Sequence, residues 1–169
     1  CEATTASFTF SLAFVWPSSS LSDMFDGPDP QAYRLYSAER SLSEFYGHTL
    51  ATPKEARKIA CSLNLERLDI VFREHTLYDG CYYAPTRAQW AKGWMGHVDL
   101  SPTGRTVYVL LHELAHYFTL KDYFGNHEIE THGPQFAWRY IRLIWAVFGK
   151  NHAITLANAF AKHGVKGSK

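Results

Sequence analysis

Two histidines four residues apart, with a glutamate directly after the first, stand inside an otherwise apolar run, LLHELAHYFT, residues 110–119. On a helix, residues four apart lie on one face, so His112 and His116 aim their imidazoles at a common point. Glu113 lies about 100° further round the helix axis, close enough to reach a water on a shared cation without being a ligand. His-Glu-x-x-His on a helix is the pattern of zinc hydrolases, with two ligands and one general base. Zinc (Zn2+) lowers the pKa of its water to about 7, and Glu113 would take that proton as the water attacks a carbonyl. Burying these three groups without partners costs several kcal/mol, whereas one metal ion satisfies them together.

A catalytic zinc centre takes three protein ligands and keeps one position open. Downstream, His127, Glu128, Glu130 and His132 are the candidates for the third. His132 is best placed. It directly precedes Gly133-Pro134 at the entrance of the next helix, where the backbone is fixed, and it follows His116 by sixteen residues, room enough to loop out and return. His127 lies in the polar stretch GNHEIE and reads as solvated. Glu128 and Glu130 read as surface charges, with contact to a ligand histidine as a lesser use. Tyr117, Tyr123 and Tyr140 are candidates to approach the metal, although packing is the simpler role for each. His48 reads as a turn residue, His75 as a strand end, His97 as a half-buried strand residue bordering the cleft, and His152 and His163 as flanks of the last helix.

Positioning these groups requires a scaffold of mixed period. Asp29 is a plausible N-cap with Pro30 at the first helical position, and the run QAYRLYSAERSLSEFYG has helical apolar spacing at Tyr33, Tyr36, Leu42 and Phe45 before stopping at Gly47. Thr52-Pro53-Lys54-Glu55 is a capping box opening a second helix to about Cys61. LDIVFRE (68–74), GCYYAPT and GHVDLSP read as a small, three-stranded sheet. Helical period returns in RTVYVLLHELAHYFTLK, with Val107, Leu111, Leu114 and Phe118 on one face. The next helix, QFAWRYIRLIWAVF, opens after His132-Gly133-Pro134 and closes at Gly149, with its Trp and Tyr residues expected in the core. A last helix spans about 152–162, with Asn151 as cap and Gly164 as stop. Helices, then strands, then helices give an α+β architecture. Residues 1–30 read as an N-terminal arm, including the apolar FTFSLAFVW (8–16) and the loop PSSSLSDMFDGPDP, and residues 31–169 as one domain.

The chain has 169 residues, 46% of them hydrophobic and 15% aromatic, enough for one domain with a real core. Its formal net charge is +1, so no broad basic field announces nucleic acid. No apolar run approaches the roughly 20 residues of a membrane span. Three scattered cysteines, Cys1, Cys61 and Cys81, suggest no disulfide framework and fit a reducing, cytoplasmic compartment.

LLHELAHYF followed by HGPQF resembles the SprT-like zinc metallopeptidases, whose active-site helix is followed by a His-Gly-Pro-x-Phe element. The resemblance implies His112, His116 and His132 as the metal ligands and Glu113 as the catalytic base. A closer likeness, over roughly residues 33–166, is to a small family of metallohydrolases of bacteria and their phages. RLYSAERSL is similar to that family's opening helix and AFAKHGVK to its closing one. The chain departs from these patterns in the loop KDYFGNHEIET, which is longer and more acidic, and in having no Cys-rich zinc ribbon after the last helix. The likeness implies a zincin-like fold, in which a peptide adds as a strand beside the metal along residues 81–85 or 96–101.

These readings converge on a zinc-dependent hydrolase, first of all a metallopeptidase acting on a protein or peptide. The rivals are a zinc-stabilised, non-catalytic binding protein, with a site closed by a fourth protein ligand, and a SprT-like protease of DNA-bound proteins, which the charge does not support.

Overall fold

A computed structural model describes residues 29–42, 49–74, 79–122 and 130–167. The expected N-terminal arm up to residue 28, together with His48, His75, Tyr123, His127 and Glu128, lies outside the described residues. Among the described residues the architecture is α+β: six helices and one small, mixed, three-stranded sheet.

Helix α1 runs Pro30–Arg40, capped by the Asp29 side chain, which accepts from Ala32 N–H. It ends before Gly47, the stop expected from spacing. Ser41 turns its hydroxyl back onto the Ala38 carbonyl at 2.7 Å, the local competition by which serine ends helices. Helix α2, Pro53–Ser62, opens on the expected capping box: Thr52 accepts from Glu55 N–H, and the Glu55 carboxylate accepts from Thr52 N–H. Strands β1 (Asp69–Phe72), β2 (Gly80–Tyr83) and β3 (His97–Leu100) form the sheet in the order β1-β3-β2. β1 pairs parallel to β3, and β2 antiparallel, with Tyr82 opposite Val98. Between β2 and β3 sits a short helix, α3 (Arg87–Ala91), that the sequence reading did not anticipate; its own capping box, Thr86 with Gln89, was the available signal.

Helix α4, Val107–Asp122, packs on β2 and β3 with one side and on α5, Pro134–Phe148, with the other. It is buried nearly all round, with Leu110, Leu111, Leu114 and Ala115 fully enclosed, so it has no true solvent face. Ion pairing of Asp122 with Arg139 ties its C-terminal end to α5. Helix α6, Lys150–Lys162, packs on α5 and α1. The break between α5 and α6 is at Gly149, whose φ of +88° is a conformation glycine alone adopts without strain. α6 begins at Lys150, so Asn151 lies within the helix rather than capping it.

The sheet sends Ile70, Tyr82, Val98 and Leu100 into the core beside Phe136, Tyr140, Ile144 and Phe160. Two tryptophans of α5 depart from expectation: Trp138 and Trp145 are exposed, because the buried face of α5 is set by Phe136, Ala137, Tyr140, Leu143 and Ile144. The guanidinium groups of Arg139 and Arg142 lie 4.7 Å from the Trp138 ring. No helix among the described residues is long and apolar enough to cross a membrane. Cys61 is exposed and Cys81 buried, both as free thiols.

Candidate metal centre

α4 carries His112, Glu113 and His116 at its middle, and His132 enters from the turn before α5. The local sequence explains the entrance. Gly133 N–H closes a turn on the Glu130 carbonyl at 3.0 Å, and Pro134 starts the helix with its φ already fixed. One ligand atom from each of His112, His116 and His132 lies within 4.8 Å of the others, close enough to share one metal ion. All three rings are buried, and Phe136 packs against each at 4.4–4.9 Å between centroids. His112 Nε2 and His132 Nε2 face each other at 3.4 Å.

The far sides of two rings are held by carboxylates that sequence reasoning missed. Glu39 Oε1 lies 3.0 Å from His112 Nδ1, and Asp29 Oδ2 lies 2.9 Å from His132 Nδ1. A carboxylate accepts only, so each Nδ1 must carry the proton, and each Nε2 is left as the lone-pair donor. Both acids come from the α1 segment, which is anchored to the end of the chain by Gln31 with the Lys166 main chain and Arg34 with the Gly164 carbonyl. Tyr36, one turn before Glu39 on the same helix, stacks on His112 at 5.5 Å and places its hydroxyl 3.2 Å from His132 Nε2. Glu39 shares a helix face with Tyr36, three residues before it, but that spacing does not by itself point to His112.

Glu113 reaches strand β2 while remaining within electrostatic reach of His112. Its carboxylate accepts a hydrogen bond from the Tyr82 main chain on β2, and Oε2 is buried with no hydrogen-bond partner among the described residues. Gly80 makes this approach possible: a Cβ there would stand 2.9 Å from Glu113 Oε1 and 2.7 Å from Val109 Cγ1.

Electrostatics follow burial and pairing. Burial pushes the Glu113 carboxyl up to about 7, and the nearby His112 and the Tyr82 N–H only partly oppose it. His116 is held well below the usual histidine range by burial, with His132 and His112 adding to the effect. Burial also lowers His132, and the Asp29 contact offsets part of this. His112 is raised despite its burial, because Glu39 stabilises its charged form. Burial alone would raise Asp29, yet the His132 hydrogen bond and Ala32 N–H hold it below the ordinary value. The lowered pKa values of His116 and His132 favour their neutral, lone-pair-donating forms, whereas Glu39 favours the charged form of His112, whose Nε2 must be proton-free to bind an ion.

The other candidates lie elsewhere. Glu130 is exposed. His97 is half-buried on the outer face of the sheet, stacked on Tyr83 at 4.4 Å. Tyr117 packs between Trp90 and Tyr82. Tyr140 reaches the edge of the centre, with its ring 5.5 Å from His112, but donates its hydroxyl to the Tyr108 carbonyl. Compared with protein-family models, curated proteins and solved structures, the chain matches none.

Proposed function

We propose that this protein is a zinc-dependent hydrolase, most simply a metallopeptidase, in which His112, His116 and His132 hold the ion and Glu113 is the base. The observation that carries the reading is the convergence of three buried imidazoles, two of them with Nε2 atoms 3.4 Å apart. For Zn–N bonds of about 2.0–2.1 Å, neighbouring nitrogens of a tetrahedral site stand roughly 3.3–3.4 Å apart. Three imidazole nitrogens, two of them on rings backed by carboxylates, are a donor set suited to zinc, and three ligands leave one position for chemistry.

When bound, zinc would supply a polarised water and Lewis-acid stabilisation of a carbonyl oxygen. The remaining steps belong to the chain. Glu113 accepts a proton from the water on the carboxylate oxygen that lacks a hydrogen bond, while the Tyr82 N–H fixes the carboxylate's orientation. The water oxygen adds to the substrate carbonyl carbon. As the C–N bond breaks, Glu113 returns the proton to the leaving nitrogen. Among the described residues β2 is an edge strand whose main chain donates to Glu113, so an extended peptide laid along it would carry its carbonyl past the base.

Elemental analysis of the purified chain tests the ligands: about one zinc per chain is expected, lost in His112→Ala and in His132→Ala. A proteome-wide cleavage screen of the native chain against Glu113→Gln tests the base. The variant should keep the ion and lose every cleavage. Equal turnover by both proteins, or binding of the ion with no cleavage by either, overturns the hydrolase reading.

A further inference from the structure

Three histidines leave one corner of a tetrahedral ion, and α1 places a fourth donor atom, an oxygen, beside the converging nitrogens. Because Glu39 and Asp29 occupy the Nδ1 atoms of His112 and His132, the Nε2 atoms are the ones that converge. The Tyr36 hydroxyl lies 3.2 Å from His132 Nε2, almost the spacing at which His112 Nε2 stands from the same atom. Both separations approximate one edge of a tetrahedral zinc site, about 3.3–3.4 Å. The Tyr36 ring is fixed there, stacked on His112 with 19° between planes and edge-on to His132 at 5.2 Å. Its helix is pinned at both ends by the two carboxylates. In the metal-free protein the hydroxyl can donate to His132 Nε2. An ion that takes this nitrogen's lone pair ends that bond, and the phenol oxygen then faces the ion with lone pairs of its own.

We propose that Tyr36 is the fourth protein donor, closing the metal centre in the resting protein at the corner an attacking water needs. The inference rests on the metal reading above and adds a gate to it: substrate entry must displace the phenol or expand the ion to five-coordination. Burial and the carboxylates of Glu113, Glu39 and Asp29 hold the free phenol's pKa well above the ordinary value, so the oxygen would bind as phenolate only by giving its proton to solvent as the ion's charge replaces it.

Copper(II) reports such a donor, because a phenolate ligand gives a visible charge-transfer band that histidine ligands do not. The full chain, stripped of metal and loaded with one copper(II), should show the band. Tyr140→Phe, which alters another buried tyrosine beside His112, should keep it. Tyr36→Phe should lose it while still taking up one ion through the three histidines. Resonance Raman excitation within the wild-type band should enhance phenolate ring modes, a readout that stands even if Tyr36→Phe does not fold. Copper uptake without the band, or a band that survives in Tyr36→Phe, overturns this inference and leaves the zinc reading intact. Failure of the native chain to take up zinc or copper overturns both.

Discussion

Two of the three candidate ligands lean on carboxylates from α1, His112 on Glu39 and His132 on Asp29. Such contacts fix the tautomer and orient the ring, and their loss typically costs 10–100-fold in metal affinity. Asp29→Asn and Glu39→Gln should therefore each weaken zinc binding by roughly 10–100-fold, measured by competition with a chelator, without changing the number of ions bound. Unchanged affinity in both would mean that the rings are held by packing alone. Asp29 also caps α1, so Asp29→Asn, which retains a capping side chain, separates the two roles. The histidines were legible in the sequence because helical period converts a spacing of four into a shared face, and Gly133-Pro134 marks where His132 must sit. The carboxylates were not. Glu39 meets His112 across 73 residues and Asp29 meets His132 across 103, and no local pattern encodes a contact of that span.

Among the elements, β2 and α4 depend on each other at one position. Gly80 is constrained by space: the next atoms outward are Glu113 Oε1 and Val109 Cγ1. Gly80→Ala should push the Glu113 carboxylate off the Tyr82 N–H while leaving the histidines in place. Metal content should stay near wild type, and any hydrolytic activity should fall about as far as in Glu113→Gln. Loss of zinc in Gly80→Ala, or full activity, would show that the strand does not set the base. The elements themselves were legible where period and caps agree, as in α2, α4 and α5. They were misjudged where a single residue decided the boundary or the element was short. Ser41 ended α1 early, Gly149 started α6 before Asn151, and α3 was too short to show a period. The exposed Trp138 and Trp145 show the same limit, since residue type alone does not say which side of a helix the core will take.

For the whole molecule, the centre is a concentrated cost that a bound metal ion would relieve. His112, Glu113, His116 and His132 are all buried between α1, the sheet, α4 and α5, so in the metal-free chain their ionisation is coupled to folding. Glu113 gives the clearest sign. Its carboxyl rises from 4.5 to about 7 on folding, so between those values the folded chain binds the proton that the unfolded chain has released. Stability of the metal-free protein must then fall as pH rises through that window; the cost is absent below it and complete above it. At 1.36 kcal/mol per unit, the cost above pH 7 is about 3 kcal/mol. Glutamine matches the protonated acid in shape and never ionises. Glu113→Gln should therefore raise the melting temperature of the metal-free chain at pH 8 by roughly 6–12 °C and leave it nearly unchanged at pH 4. The falling stability of His116 and His132 toward acid is common to both proteins and cancels in the comparison. Paired thermal melts of chelator-treated samples decide it. A stabilisation confined to alkaline pH assigns the cost to the buried carboxylate. A destabilisation at pH 8 would mean that the ionised Glu113 is matched by a positive partner and that the core is electrostatically balanced without metal.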